Sequence, residues 1–220
     1  ESWKERLLSG RIDLSVARHA GELLAKIIEA GGRLPELRER FRDQTVFHQL
    51  RIDPYYRTTA ARHPELRSSY EQLIEASGSI RAALVHGDYS PKNMLVKDGN
   101  ICLIDFEVVH WGDPAFDAGF LLNHLLLKSF HRTELRESYF AAAREFWRSL
   151  VQHAGRGHEF EEMSVWHLGG LMVARIDGKS PVEYIHDDAT RRRVRGLGSE
   201  LLLEPQMGVE GAIERAAQPR

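Results

Sequence analysis

Apolar residues in the first third of the chain recur at the spacing of a helix. From residue 14 to about residue 30 they share one helical face, and the glycines at 31 and 32 end the pattern. Pro54 and Pro64 each follow a polar residue and are further helix-start signals, because proline is tolerated in the first turn of a helix. The pattern therefore predicts that this part of the chain is helical.

The pattern changes between residues 82 and 104. A short apolar run at 82–85 leads into a polar loop, and two further apolar runs at 94–96 and 101–104 flank Asp98-Gly99. Asp-Gly between two apolar runs is a strong β-hairpin signal. The sequence predicts a hairpin here, with Cys102 as a buried, inert thiol in its second strand.

Helical spacing resumes after Asp113, which is predicted to cap a helix that starts at Pro114. Further helices are predicted at about 133–153 and 160–174. The residues from Ser180 to Glu183 form a capping-box pattern, which predicts another helix start. The last fifteen or so residues are predicted to be loosely held. The expected fold class is mainly α with a small central β-hairpin, that is, α+β.

Composition adds few constraints to this picture. The chain has 220 residues, 42% of them hydrophobic, and a formal net charge of −2, so no nucleic-acid partner is expected. Its longest apolar run is too short to span a bilayer, which predicts no membrane contact. A single cysteine and the lack of a leader pattern predict a cytoplasmic protein.

Asp88, Asn93 and Asp105 are the residues whose types and spacing suggest catalysis. Phosphoryl transfer needs a hydroxyl held in line, a carboxylate to take its proton and a divalent metal to neutralise the phosphates. The loop supplies Asp88 and, five residues later, Asn93, and the hairpin then returns the chain to Asp105. The catalytic and metal-binding residues of protein kinases come in the same order.

The surrounding motifs resemble those of the aminoglycoside phosphotransferase and choline kinase family. Gly87 and Glu107 stand where protein kinases have Arg and Gly, which points away from that family. Residues 175–181 are also similar to a segment of some bacterial members. The motifs that carry the resemblance are VHGDYSPKN at 85–93, IDFE at 104–107 and WGDPAFD at 111–117.

The resemblance implies an ATP- and magnesium-dependent phosphotransferase that acts on a hydroxyl of a small molecule, either a metabolite or an aminoglycoside-type antibiotic. Asp88 would be the base, or would orient the acceptor hydroxyl. Asn93 and Asp105 would bind Mg²⁺.

The resemblance also implies supporting roles. His86 would support the catalytic loop and, with Lys92, would belong to the residues around the cofactor. An exposed loop lysine, rather than a phosphate contact, is the plainer interpretation of Lys92. Asp113 and Asp117 would brace the helix that follows the metal-binding strand.

The resemblance further implies a second lobe. Kinases of this type hold ATP with a β-rich N-terminal lobe that carries a phosphate-covering loop and a strand lysine. The pattern before residue 85 is helical and does not match such a lobe. We therefore expect residues 1–220 to form the C-terminal lobe of a protein-kinase-like fold. The N-terminal ATP-binding lobe of the same protein would lie outside them, and the isolated chain would bind ATP poorly.

Two other functions fit parts of the sequence. A non-catalytic binding module would keep the scaffold without nucleotide chemistry. A metal-dependent hydrolase could use His86, Asp88 and Asp105, although few histidines converge there. An aminoglycoside site would be expected to be acidic. The acidic candidates for such a site are Glu159, Glu161, Glu162, Asp187 and Asp188.

Overall fold

The computed structural model describes residues 1–218 and is mainly helical with small β-sheets, which confirms the predicted fold class. The α-helices are α1 (Trp3–Leu8), α2 (Leu14–Arg33), α3 (Glu36–Arg40), α4 (Thr45–Phe47), α5 (Thr58–Arg62), α6 (Arg67–Ser79), α7 (Ala115–His131), α8 (Arg136–Ala154), α9 (His158–Asp177), α10 (Asp188–Leu203) and α11 (Gly208–Ala217). A π-helix spans His48–Arg57. Short 3₁₀ turns span Pro64–Leu66, Pro91–Asn93, Thr133–Leu135 and Pro205–Met207.

Four short strands form two antiparallel pairs. They are β1 (Ala83–Val85), β2 (Met94–Lys97), β3 (Asn100–Leu103) and β4 (His110–Gly112). The β2–β3 pair is the predicted hairpin, and its turn residues Asp98 and Gly99 both have positive φ angles, of 50° and 75°. The β1–β4 pair was not predicted, because a three-residue strand shows too little alternation to be recognised.

Helix α7 lies at the centre of the helical part. It packs against α8 on one side and α9 on the other, while α2 packs on α8 and α10 on α9. Most residues of α7 are buried, as expected for a helix enclosed by neighbours. None of the helices in residues 1–218 has the length and apolar character needed to cross a membrane.

Helix α2 runs past the glycines that were predicted to end it. It begins at its cap Asp13, whose carboxylate accepts a hydrogen bond from Ser15 N at 2.8 Å, and continues to Arg33. A Cβ atom on Gly31 would lie 2.0 Å from the indole ring of Trp111. Gly31 therefore lets α2 pack closely against β4, and it does not end the helix.

Pro54 does not start a helix, contrary to the prediction, since it lies inside the π-helix. A π-turn holds one residue more than an α-turn, and no residue pattern predicts it. Pro64 does begin a helical segment, the 3₁₀ turn before α6.

The predicted helix start at Ser180 is also wrong. Residues 180–187 are not helical, and α10 begins after Asp187, whose carboxylate accepts a hydrogen bond from Thr190 N at 2.7 Å. Long-range contacts hold the segment instead, because Arg175 donates to the carbonyl of Ser180 and Lys4 pairs with Glu183. Tertiary contacts here outweigh a local capping preference.

Two smaller predictions are wrong as well. The C-terminal residues form α11, which buries Val209 and Ile213 and is therefore packed against the core rather than loosely held. Cys102 is exposed, because successive residues of a strand point to opposite faces, and its neighbours Ile101 and Leu103 take the side that packs on the core.

Candidate active site

The loop between β1 and β2 holds the carboxylate of Asp88 between two cations. Asp88 is only 3% exposed, and its Oδ2 lies 3.0 Å from Arg51 Nη2 and 2.8 Å from Lys92 Nζ. Lys92 is an exposed loop lysine, as predicted, and it also forms this ion pair. Both cations bind the same oxygen, which leaves Oδ1 of Asp88 for another partner.

Arg51 is a site residue that the sequence analysis missed. It comes from the π-helix, is buried, and donates through Nε to the carbonyl of Gly87 at 2.6 Å. Its guanidinium therefore binds both the backbone of the loop and the side chain of Asp88. Arg51 lies 37 positions before Asp88 in a segment without a motif, so no sequence signal connected the two residues.

Asp117 fixes the backbone at the start of the loop. Its carboxylate accepts hydrogen bonds from His86 N at 2.6 Å and from Gly87 N at 2.9 Å. Gly87 has a φ of 76°, and a Cβ there would press on Val108, so this turn requires glycine. Desolvation outweighs the two hydrogen bonds and raises the pKa of Asp117 to about 7. The residue predicted to brace the helix thus also braces the loop.

His86 connects the loop to the end of β3. Its Nδ1 accepts a hydrogen bond from Asp88 N at 3.2 Å, and its Nε2–H donates to the carbonyl of Ile104 at 3.2 Å. Burial lowers the pKa of His86, which favours the neutral ring that this pair of bonds requires. Both ring nitrogens are therefore engaged by backbone groups, and the histidine supports the loop.

Asn93 and Asp105 lie at the two open ends of the β2–β3 hairpin. Ile104 N donates to the carbonyl of Asn93 at 3.0 Å, which extends the ladder by one bond and brings the two ends together. The side chain of Asn93 donates to the carbonyl of Asp88 at 3.0 Å. Asp105 is exposed, has a φ of 70°, and makes no hydrogen bond or salt bridge with any other described residue.

These two residues fit a magnesium ion. Nδ2 of Asn93 is used by the loop, so its Oδ1 and the Asp105 carboxylate are the hard oxygen donors that Mg²⁺ prefers. Within residues 1–218 no group of three or more His, Cys, Asp or Glu side chains could hold a metal alone. Magnesium is usually held by one or two carboxylates together with substrate phosphates, so a pair of ligands is sufficient.

Asp113 joins the start of α7 to two distant elements. Its Oδ1 accepts from Ala115 N at 3.0 Å, and its Oδ2 accepts from His167 Nε2–H at 3.0 Å. The hydroxyl of Tyr56 in turn donates to Nδ1 of His167 at 2.7 Å. The chain of three buried groups ties α7 to α9 and the π-helix. Helix α7 begins at Ala115, one residue later than predicted, with Pro114 at the cap position.

The segment at 175–181 contributes a structural ion-pair cluster. Asp177 accepts hydrogen bonds from Arg195 Nε at 2.5 Å and Nη2 at 2.9 Å, and its Oδ2 lies 2.9 Å from His63 Nε2. The cluster lowers the pKa of Asp177 even though burial opposes the shift. It links the end of α9 to α10 and to the end of α5.

Comparison with known families agrees with this arrangement. The model of the phosphotransferase enzyme family matches residues 4–158, which include the loop, the hairpin and Asp117. The chain therefore belongs to the phosphotransferase enzyme family, as the motif resemblance predicted. No protein among those with curated functions matches the sequence significantly.

Proposed function

We propose that this protein transfers the γ-phosphoryl group of ATP to a hydroxyl of a small molecule in a magnesium-dependent reaction. The observation that carries the proposal is a pair of hydrogen bonds: Asn93 Nδ2 donates to the Asp88 carbonyl, and Ile104 N, next to Asp105 in the chain, donates to the Asn93 carbonyl. A proton acceptor next to two oxygen ligands is what phosphoryl transfer requires.

In the proposed reaction the acceptor hydroxyl oxygen attacks the γ-phosphorus, the bond from that phosphorus to the β,γ-bridging oxygen breaks, and ADP leaves. The hydroxyl proton passes to Asp88, whose Oδ2 is held by Arg51 and Lys92 while Oδ1 is available. Asn93 and Asp105 would hold the magnesium, which neutralises charge on the phosphates when it is bound.

We further propose that residues 1–220 form the catalytic and substrate lobe, and that a separate N-terminal lobe of the same protein binds the nucleotide. Apolar side chains exposed beside the loop and hairpin support this, since such surface is typical of a contact with another folded unit. They are Leu50, Leu95, Ile104 and Phe106. Phe106 is the most exposed of them at 52%, and its ring centroid lies 4.9 Å from that of His86.

The test is an assay of Mg-ATP-dependent transfer to a panel of small hydroxyl compounds. It would be run on the protein with its ATP-binding lobe and on residues 1–220 alone. We expect Asp88→Asn to lower kcat by about 10²–10⁴-fold, because the proton acceptor is lost. Asp98→Asn makes the same chemical change in the exposed hairpin turn and should leave the rate unchanged.

The assay separates the proposed function from its alternatives. We expect residues 1–220 alone to turn over slowly. Full activity of Asp88→Asn would refute the assigned base. Absence of nucleotide binding in both forms of the protein would favour a non-catalytic binding module.

A further inference from the structure

A cavity of about 260 Å³ opens beside Asp88. Its walls come from the N-terminal helix, the π-helix, the catalytic loop, α7 and the segment after α9. Neither Asn93 nor Asp105 lines it, so the cavity borders Asp88 but not the proposed metal ligands. An acceptor, rather than nucleotide phosphates held by the metal, would therefore bind there.

The charged side chains that line the cavity are mainly cationic. Lys4, Lys92, Lys128 and Arg175 face two acidic groups, Asp88 and Glu183. Both acidic groups are already paired, Asp88 with Arg51 and Lys92, and Glu183 with Lys4 at 3.4 Å. Two cations are therefore left over, because Lys128 and Arg175 form no salt bridge with any residue in the described part of the chain.

Lys128 is the more unusual of these two cations. It is 1% exposed, and its ammonium donates only to the carbonyl of His124 at 3.2 Å. Burying an ammonium without a counter-ion is unfavourable, and burial, with Lys4 and Arg175 nearby, lowers the pKa of Lys128 to about 7. A structural role would be served as well by methionine. A lysine at this position is explained by an anion that enters the cavity.

Two further polar groups at the cavity lack partners. Nε of Arg175 and the hydroxyl of Tyr184 are buried and make no hydrogen bond among the described residues. Both residues line the same cavity as Lys128, and the Lys128 ammonium lies 5.4 Å from the centre of the Tyr184 ring. Buried polar groups are rarely left unpaired, so these two donors, beside a lysine with a single carbonyl partner, indicate a missing acceptor.

We infer that the acceptor substrate is a small hydroxy compound that also carries a carboxylate or a phosphate. Lys128, Arg175 and Tyr184 would bind this anionic group while the hydroxyl lies at Asp88. The inference rests on the proposed function, because Asp88 identifies the cavity as the acceptor site. It excludes choline-like and aminoglycoside-like cations, which would meet like charge. None of the five acidic candidates for an aminoglycoside site lines the cavity: Glu159, Glu161, Glu162, Asp187 and Asp188.

Calorimetric titration of the protein with matched compounds tests the inference. The panel would contain small hydroxy acids and sugar phosphates, including D-glycerate and glycerol 3-phosphate, with glycerol and choline as neutral and cationic counterparts. We expect at least one anion to bind ten times more tightly than its neutral counterpart, and to bind equally well when Mg-ADP is present. Competition with Mg-ADP would instead assign the cations to the nucleotide and overturn the inference.

Variants identify the residues involved. We expect Lys128→Met and Arg175→Gln each to weaken binding of the anion tenfold or more, and Arg175→Lys to restore part of the loss. Lys97→Met, in the exposed hairpin, is the control and should bind as the parent does. A folded Lys128→Met or Arg175→Gln protein that binds the anion normally would overturn the inference. So would a panel in which no anion binds better than its neutral counterpart.

Failure of the anion site and failure of the proposed phosphoryl transfer give different results. If an anion binds but no Asp88-dependent transfer to it occurs, the anion site stands and the proposed function fails. If transfer proceeds equally well to neutral or cationic hydroxyl compounds, the proposed function stands and the anion site fails.

Discussion

At the scale of single residues, Arg51 is the buried group that holds both the Asp88 carboxylate and the Gly87 carbonyl. Replacing it by methionine removes a buried ion pair and the donor to the Gly87 carbonyl. We expect Arg51→Met to lower kcat by about 10-fold or more with little change in the KM for ATP, because Arg51 positions the carboxylate without touching the nucleotide. Steady-state kinetics would measure this.

Two companion variants complete that experiment. Arg51→Lys should recover part of kcat, since it restores the charge beside Asp88. Arg57→Met, in the same π-helix but exposed, should behave as the parent protein. If Arg51→Met raised the KM for ATP at constant kcat, the positioning role would be wrong.

Asp117 offers a second prediction at this scale, one that concerns stability. At pH 4 the buried carboxyl group is protonated, and both of its oxygens can still accept from His86 N and Gly87 N, whereas the amide nitrogen of asparagine cannot accept. Asp117→Asn should therefore lower the free energy of unfolding by about 1–3 kcal/mol at this pH. Denaturant unfolding would measure the loss, with Asp98→Asn as the control.

The pH dependence of that loss has a definite sign. Burial raises the pKa of Asp117 to about 7, above the value of about 3.9 in an unfolded chain. The native state therefore binds more protons than the unfolded state between these values, and the stabilising contribution of this group falls as pH rises from about 4 to 7. Asp117→Asn should lack this decline. An identical pH profile in both proteins would contradict the raised pKa.

At the scale of elements, the crossing of α2 and β4 depends on one missing side chain. The methyl group of Gly31→Ala would overlap the indole ring of Trp111. We therefore expect the free energy of unfolding to fall by about 1–3 kcal/mol, even though alanine is the better helix former. Gly78→Ala, near the end of α6, meets no atom within 4 Å and should be neutral or stabilising by up to about 1 kcal/mol. Thermal unfolding compares the two, and equal effects would show that Trp111 moves away freely.

The sequence predicted best those elements that are specified by residues close together in the chain. The hairpin was predicted correctly because its turn residues and flanking apolar runs lie within eleven positions, 94–104. The capping-box pattern at Ser180 failed although it is equally local, since contacts with Lys4 and Arg175 determine that segment. Local patterns predict an element only where tertiary contacts agree with them.

At the scale of the whole molecule, the family match covers the catalytic motifs but only part of the cavity beside Asp88. The family match ends at residue 158, whereas Arg175 and Tyr184 lie beyond it and Lys4 near its start. The cavity thus joins residues 180 positions apart, and no spacing rule could have predicted it. Membership of the family therefore indicates phosphoryl transfer, and the inferred anion site would draw on the segment after α9 as well.

A single substitution tests whether the segment after α9 takes part in binding the acceptor. Tyr184→Phe removes a buried hydroxyl without a partner, so the fold should keep its melting temperature. If the hydroxyl binds the anionic group of the acceptor, the KM for an anionic acceptor should rise about 5–10-fold, the value of one hydrogen bond, with the KM for ATP unchanged. An unchanged KM for the acceptor would show that the hydroxyl is not used.

The bond between Ile104 N and the carbonyl of Asn93 has one more consequence. Because Asn93 and Asp105 flank the same ladder, any fluctuation that frays the open end of the hairpin also moves the two proposed ligands apart. Ion binding and closure of that end are then thermodynamically linked, and each favours the other by the same free energy. Bound magnesium would therefore stabilise the closed end of the hairpin. Amide hydrogen exchange at Ile104 would slow as magnesium binds.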